Sequence, residues 1–182
     1  MEGQAEDLWI FGYGSLIWHP GFDYLSRHLA SLSGHSRSFC MVSVHYRGTP
    51  ERPGLVLALD AASGCVCEGV AYRVSQSHAA ETLAYLRERE LVSYAYVEAW
   101  LPVHLQSGET VEAVTYVIDR DHPQYRGDLD LQRQADIIAS AEGPRGPNAD
   151  YLFNTVDGLV ELGLHDADLL ALAGLVRERL AT

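Results

Sequence analysis

The 182-residue sequence predicts a single α+β domain with a curled antiparallel or mixed sheet. Extended apolar segments fill most of the first two-thirds of the chain, and after Tyr125 the character turns helical. The elements do not alternate strand and helix as a doubly wound sheet requires. Hydrophobic residues make up 47% and charged residues 21%, the proportions of a chain that buries one ordinary core. No repeat, low-complexity tract or long linker divides it, so residues 1–182 read as one domain with 1–7 as a flexible lead-in.

Residues 8–13 form a short apolar run closed by Gly12-Tyr13-Gly14, the pattern of a buried strand ending in a tight loop. Further extended segments lie at 37–46, 55–59 and 69–74. Between the last two, Asp60-Ala61-Ala62-Ser63-Gly64 has turn composition. A strand through 64–74 places Cys65 and Cys67 on one face as small buried hydrophobes. Residues 77–90 are the first clear helix, with Ser77 as N-cap and Glu81 in the first turn. Strands at 94–101 and 111–118 flank the hairpin connection Ser107-Gly108-Glu109. Helices follow at 130–141, 148–162 and 166–180.

Composition excludes several function classes. All 13 basic residues are Arg, which removes lysine Schiff bases, pyridoxal phosphate anchoring and the P-loop lysine. A net charge of −12 argues against a nucleic-acid partner, which calls for clustered positive charge. Residues 1–7 carry acid where a signal peptide carries base, and no run approaches the ~18 apolar residues of a membrane span. The cysteines Cys40, Cys65 and Cys67 are odd in number and form no C-x-x-C pair. These features read as a cytoplasmic protein without structural disulfides or membrane contact. The eight histidines show neither H-x-x-x-H nor H-E-x-x-H spacing, so no metal site is expected. A Cys40–His45 nucleophile pair is discounted, because an i, i+5 pair on one strand faces opposite sides.

Four features have both a structural and a functional reading. The loop Phe11-Gly12-Tyr13-Gly14-Ser15-Leu16 is neither a dinucleotide fingerprint, lacking the third Gly and a clear following helix, nor a nucleophile elbow. It is a turn needing positive φ, or a set of backbone N–H groups that cradle an oxyanion. On the 77–90 helix, Ala79, Leu83 and Leu86 follow an i, i+4, i+7 stripe, and the next position on that face is Glu90. Arg87, Glu88 and Arg89 fall off the stripe and can reach solvent. Glu90 is then a frayed, solvated helix end, or a desolvated carboxyl with a pKa raised toward proton transfer. The segment Arg47-Gly48-Thr49-Pro50-Glu51-Arg52-Pro53-Gly54 is a structural turn or a rim contact for a substrate carboxylate. Asn148 reads as a helix N-cap that puts Tyr151 in the first turn, as a core residue or a site residue.

In order along the chain, Phe11-Gly12-Tyr13-Gly14-Ser15-Leu16, Arg47-Gly48-Thr49-Pro50 with Pro53-Gly54, Gly69-Val70-Ala71-Tyr72-Arg73, Arg89-Glu90 and Asn148-x-x-Tyr151-Leu152 resemble the ChaC-like gamma-glutamylcyclotransferases. The resemblance runs from Leu8 to about Leu180. It implies a small β-barrel-like sheet with flanking helices. The activity it implies is cleavage of glutathione, a small-molecule substrate, into 5-oxoproline and cysteinylglycine. It assigns Ile10, Phe11, Gly12, Tyr13, Gly14 and Ser15 to a substrate-binding loop, Glu90 to catalysis and Tyr151 to the pocket. The family usually carries Gly before the tyrosine that follows the catalytic Glu; here Leu91-Val92-Ser93 precedes Tyr94.

The residues suit that chemistry. The substrate's own α-amine attacks its γ-carbonyl, so no enzyme nucleophile, metal or cofactor is needed. Holding the two ends together can supply ~7–11 kcal/mol. One carboxyl can then take protons from the attacking nitrogen and return them to the leaving one. Two other readings are a cyclotransferase for different γ-glutamyl amines or peptides and a non-catalytic ligand-binding regulator. Oligomeric state is not legible in the sequence.

Overall fold

Strands wind into a closed barrel in the computed structural model, which describes residues 6–91 and 95–182. In chain order the elements are β1 (Leu8–Gly12), the single helical turn α1 (Ser15–Trp18), β2 (Ser26–Ser43), β3 (Gly54–Val74), α2 (Gln76–Glu90), β4 (Tyr96–Leu105) and β5 (Thr110–Ile118). There follow α3 (Leu131–Ser140), the two-residue strands β6 (Glu142–Gly143) and β7 (Gly146–Pro147), α4 (Asn148–Glu161) and α5 (Ala167–Leu180). The barrel order is β1-β3-β2-β4-β5. β1 runs antiparallel to β3, from Leu8 opposite Val74 to Gly12 opposite Val70, and parallel to β5 where Ile10 meets Val114. The expected α+β class and mixed, curled sheet are observed, with the barrel closed between β1 and β5. Among the described residues, no helix is long and apolar enough to cross a membrane.

The chain forms two compact units, one comprising Met1–Ser36 with Asp60–Asp119 and the other Arg37–Leu59 with Arg120–Thr182. In the first, Ile10, Phe11, Val70, Tyr72, Val103 and Val114 fill the interior with no more than trace exposure. The β4–β5 hairpin pairs from Tyr96 opposite Ile118 to His104 opposite Thr110, as its turn composition predicts. Gly108 takes φ of 95° there, a value that costs only glycine little. In the second unit, Phe39, Leu55, Leu57, Ile138, Leu152 and Leu172 form the core. Asp130 caps α3 by accepting from Arg133 N–H, and Asp166 caps α5 by accepting from Leu169 N–H.

Several expectations are corrected. β2 begins at Ser26, eleven residues before the predicted extended segment, and β3 passes unbroken through 60–64 with Gly64 at φ 81°. Cys65 is exposed whereas Cys67 is buried, because residues 61–66 of β3 lack full cover on either face. The N-cap of α2 is Ser75, not Ser77: it is the one residue between strand and helix, and its hydroxyl accepts from Ser77 N–H. A helical turn, α1, does follow the glycine loop at once. Asn148 does not cap α4, since Pro147 holds that position and the Asn148 side chain is used elsewhere. The 94–101 strand is observed as β4, beginning at Tyr96 and running on to Leu105. Residues 92–94, which include most of the Leu91-Val92-Ser93 departure, and residues 1–5 of the predicted lead-in lie outside the described residues.

Candidate active site

In the first unit the glycine loop is built by close approach rather than by unusual φ. Neither Gly12 nor Gly14 adopts positive φ; Gly14 sits at φ −140°. What Gly12 requires is space, since a Cβ there would lie 3.0 Å from Leu16 Cβ and 3.4 Å from Val70 Cγ2. A Cβ on Gly69 would likewise collide with Gly12 O and the Phe11 ring. Three hydroxyls then hold the segment. Tyr13 OH donates to Tyr116 O at 3.0 Å, Tyr72 OH to Leu16 O at 2.6 Å, and Thr115 Oγ1 to Phe11 O at 3.2 Å. The Ile10 and Phe11 side chains are fully buried in the barrel.

Glu90 ends α2 on the face predicted for it. Ala79 and Leu83 are half-buried and Leu86 fully buried, with Thr82 buried beside them. The Glu90 side chain keeps 16% exposure, so it is a sheltered helix end and not a solvated one. Burial pushes its carboxyl above the ordinary 4.5, and the Arg89 guanidinium, 3.5 Å away, opposes this only in part.

Arg89 does not reach solvent as its place off the stripe suggested. Its side chain is 15% exposed and bends back over the loop. Nη2 donates to Ser15 Oγ at 3.0 Å, and Nη1 donates to His19 O at 2.6 Å, Pro20 O at 3.0 Å and Tyr85 OH at 3.1 Å. The glycine loop and Glu90 therefore share one cation. Arg87, by contrast, does lie at the surface, where it grips Glu98 through Nε at 3.1 Å and Nη2 at 3.1 Å.

Tyr116, which the sequence reading did not single out, lies within the electrostatic reach of Glu90. It sits on β5 directly opposite Glu98 on β4, and its hydroxyl donates to Glu98 Oε1 at 3.3 Å. Burial first, then the charges of Glu98 and Glu90, push the phenol well above its usual 10, so it stays protonated. The signal that could have found it is the hairpin register, which pairs 98 with 116. A separate cleft of about 400 Å³ opens over the first turns of α2, lined by Asp23, His78, Glu81 and Tyr85 among others, and does not include Glu90 or the loop.

In the second unit Tyr151 lies in the first turn of α4, 8% exposed. Its hydroxyl accepts from Leu57 N–H at 3.3 Å, and its ring meets Phe39 edge-on at 5.8 Å. Arg47 is not at a rim: it is 9% exposed, places its guanidinium 5.8 Å from the Tyr151 ring centre, and donates to Pro147 O at 3.2 Å. Burial lowers its pKa. The turn reading of 47–54 holds, since a Cβ on Gly48 would collide with Gly54 N and Ser43 O, and Thr49 N–H donates to Arg52 O at 3.0 Å. The structure thus brings the loop residues and Glu90 together in one unit and places Tyr151 in the other.

A closed five-stranded barrel with a pinned glycine loop at the end of its first strand defines a protein of the gamma-glutamylcyclotransferase fold. A crystal structure of a gamma-glutamyl cyclotransferase specific to glutathione, from yeast, superposes with a TM-score of 0.87 at 26% identity, covering 96% of this chain and 97% of that one. The chain belongs to the ChaC-like protein family, whose model matches residues 8–179. It is 38% identical over 174 residues to the glutathione-specific gamma-glutamylcyclotransferase of Escherichia coli K12, covering 96% of this chain and 74% of that protein. It is 33% identical over 159 residues to the human glutathione-specific gamma-glutamylcyclotransferase 1, covering 86% and 71%.

Proposed function

We propose that this chain is a glutathione-specific gamma-glutamylcyclotransferase, a lyase, in which Glu90 moves the protons. The observation that carries the proposal is a sheltered carboxyl with a raised pKa, tied through Arg89 to the Ser15 hydroxyl of the glycine loop. Relatives that share most of the chain bear the name of this activity.

In the reaction the α-nitrogen of the γ-glutamyl group bonds to its own γ-carbonyl carbon, closing a five-membered lactam. The C–N bond to cysteinylglycine then breaks. Two protons leave the attacking nitrogen, which arrives as an ammonium, and two arrive at the departing one; no water is consumed. Glu90 is ionised when it accepts and protonated when it donates, and burial that raises its pKa makes the protonated form easier to reach than for a solvated carboxyl. Backbone N–H groups of Gly12, Tyr13, Gly14 and Ser15 serve the substrate's carboxylate or the developing oxyanion. Ile10 and Phe11 support that loop as core residues. Tyr151 is included as a pocket residue on the family resemblance.

A cytoplasmic location fits a thiol substrate, because that compartment keeps thiols reduced. The test is to offer the purified protein glutathione and a panel of γ-glutamyl dipeptides. The proposal predicts 5-oxoproline and cysteinylglycine in equal amounts from glutathione. Turnover of the dipeptides with glutathione untouched would shift the assignment to other γ-glutamyl substrates, and no 5-oxoproline from any of them would remove the activity.

A further inference from the structure

We infer that Arg89 is a positioning residue that acts on the reaction through two groups at once, the hydroxyl of Ser15 and the carboxyl of Glu90. The inference rests on the proposed function and names what aligns its parts. The guanidinium meets five acceptors: Ser15 Oγ at 3.0 Å, His19 O at 2.6 Å, Pro20 O at 3.0 Å, Tyr85 OH at 3.1 Å and, at 3.5 Å, Glu90 Oε1. Arginine carries donors only, so at the Ser15 contact the hydroxyl oxygen must accept. The Ser15 proton is therefore turned away from Arg89 and is available to an acceptor in front of the loop. The adjacent cation makes that O–H a stronger donor. An oxygen of the γ-glutamyl group is the acceptor it fits.

The same side chain holds the exit of α1 at His19 and Pro20, so both ends of that turn are fastened to the helix that carries Glu90. Lysine cannot replace this arrangement, because an ammonium is a compact point charge without the planar fork. Among the described residues, the groups that interact electrostatically with Glu90 are Arg89 on its own helix and Tyr116 on β5. Tyr116 is neutral, and the Glu98 that holds its hydroxyl is itself paired with Arg87. Among the described residues, Arg89 is thus the charge whose removal Glu90 feels.

The test compares Arg89→Gln, Arg89→Lys, Ser15→Ala and the double variant Ser15→Ala/Arg89→Gln, each checked for folding by thermal unfolding. The Glu90 side-chain carboxyl is titrated by carbon NMR, and kcat/KM is measured for 5-oxoproline release from glutathione. The inference predicts that Arg89→Gln moves the Glu90 titration to higher pH while Arg89→Lys leaves it near wild type. It predicts that Ser15→Ala and Arg89→Gln each lower kcat/KM by about 100-fold, the scale of one lost oxyanion donor. The double variant then falls far short of the product of the two losses, and Arg89→Lys is impaired despite keeping the charge. Fully multiplicative losses, or an unmoved Glu90 titration in Arg89→Gln, would overturn it and leave Arg89 a structural strut. Should Arg89→Gln fail to fold, the cycle is run with Arg89→Lys, where the same multiplicative result overturns it. The titration needs no turnover, so a wild type that makes no 5-oxoproline would remove the proposed function and still decide the coupling of Arg89 to Glu90.

Discussion

Glu90 destabilises the fold for the same reason that it suits proton transfer. Its pKa in the folded protein lies above 4.5, so between 4.5 and that raised value the native state binds more protons than the unfolded chain. Stability therefore falls as pH rises through this window and stays reduced above it. Glu90→Gln removes the ionisation. Thermal unfolding should show the variant more stable than wild type at pH 8, with the gap closing as pH falls toward 4.5. A variant less stable at every pH would mean that the contact with Arg89 outweighs burial. Glu90 was legible because three apolar residues at helical spacing point to it. Arg89 was not, because it is drawn inward by contacts about seventy residues earlier in the chain, two of them to backbone carbonyls of His19 and Pro20, which leave no mark in residue types.

At the scale of elements, α4 is fastened by its first residue. Asn148 is fully buried; its Oδ1 accepts from Leu55 N–H at 2.8 Å and its Nδ2 donates to Leu55 O at 2.7 Å. It acts as a one-residue extension of a β ladder. Asn148→Ala leaves both Leu55 groups buried and unpaired, a loss of about 2–6 kcal/mol at roughly 1–3 kcal/mol for each orphaned group. Urea unfolding checks this; a loss under about 0.5 kcal/mol, the level of an inert surface substitution, would contradict it. The sequence suggested a cap here because Asn is a favoured N-cap residue, and tertiary pairing overrode the local preference. The same override explains the strands. Residues 26–36 are rich in Ser and His and lack β-branched residues, yet Ala30 and Leu32 alternate inward along β2. Asp60-Ala61-Ala62-Ser63-Gly64 has turn composition, and the chain nevertheless stays extended through it. The β4–β5 hairpin and the helices beginning near Asp130 and Asp166 were legible because local signals and tertiary structure agree there.

For the molecule as a whole, a net charge of −12 meets a substrate that is itself an anion. The long-range field opposes encounter, and the proposed function therefore leaves capture to local donors such as those of the glycine loop. Raising ionic strength from about 0.01 M to about 0.1 M shortens the screening length from ~30 Å to ~10 Å. KM for glutathione should fall with added salt while kcat stays nearly constant; a KM that climbs with salt would reveal a positive field at the site. The absence of lysine costs this chemistry nothing, because a carboxyl, a hydroxyl and backbone amides suffice for it. The central claim, that one carboxyl carries both proton transfers, is tested most directly by 5-oxoproline release from glutathione in wild type and Glu90→Gln under saturating substrate. Loss of at least 100-fold in kcat, the lower bound for a general acid–base group, in a variant that remains folded is the predicted result. Product formation by Glu90→Gln at the wild-type rate would contradict the account.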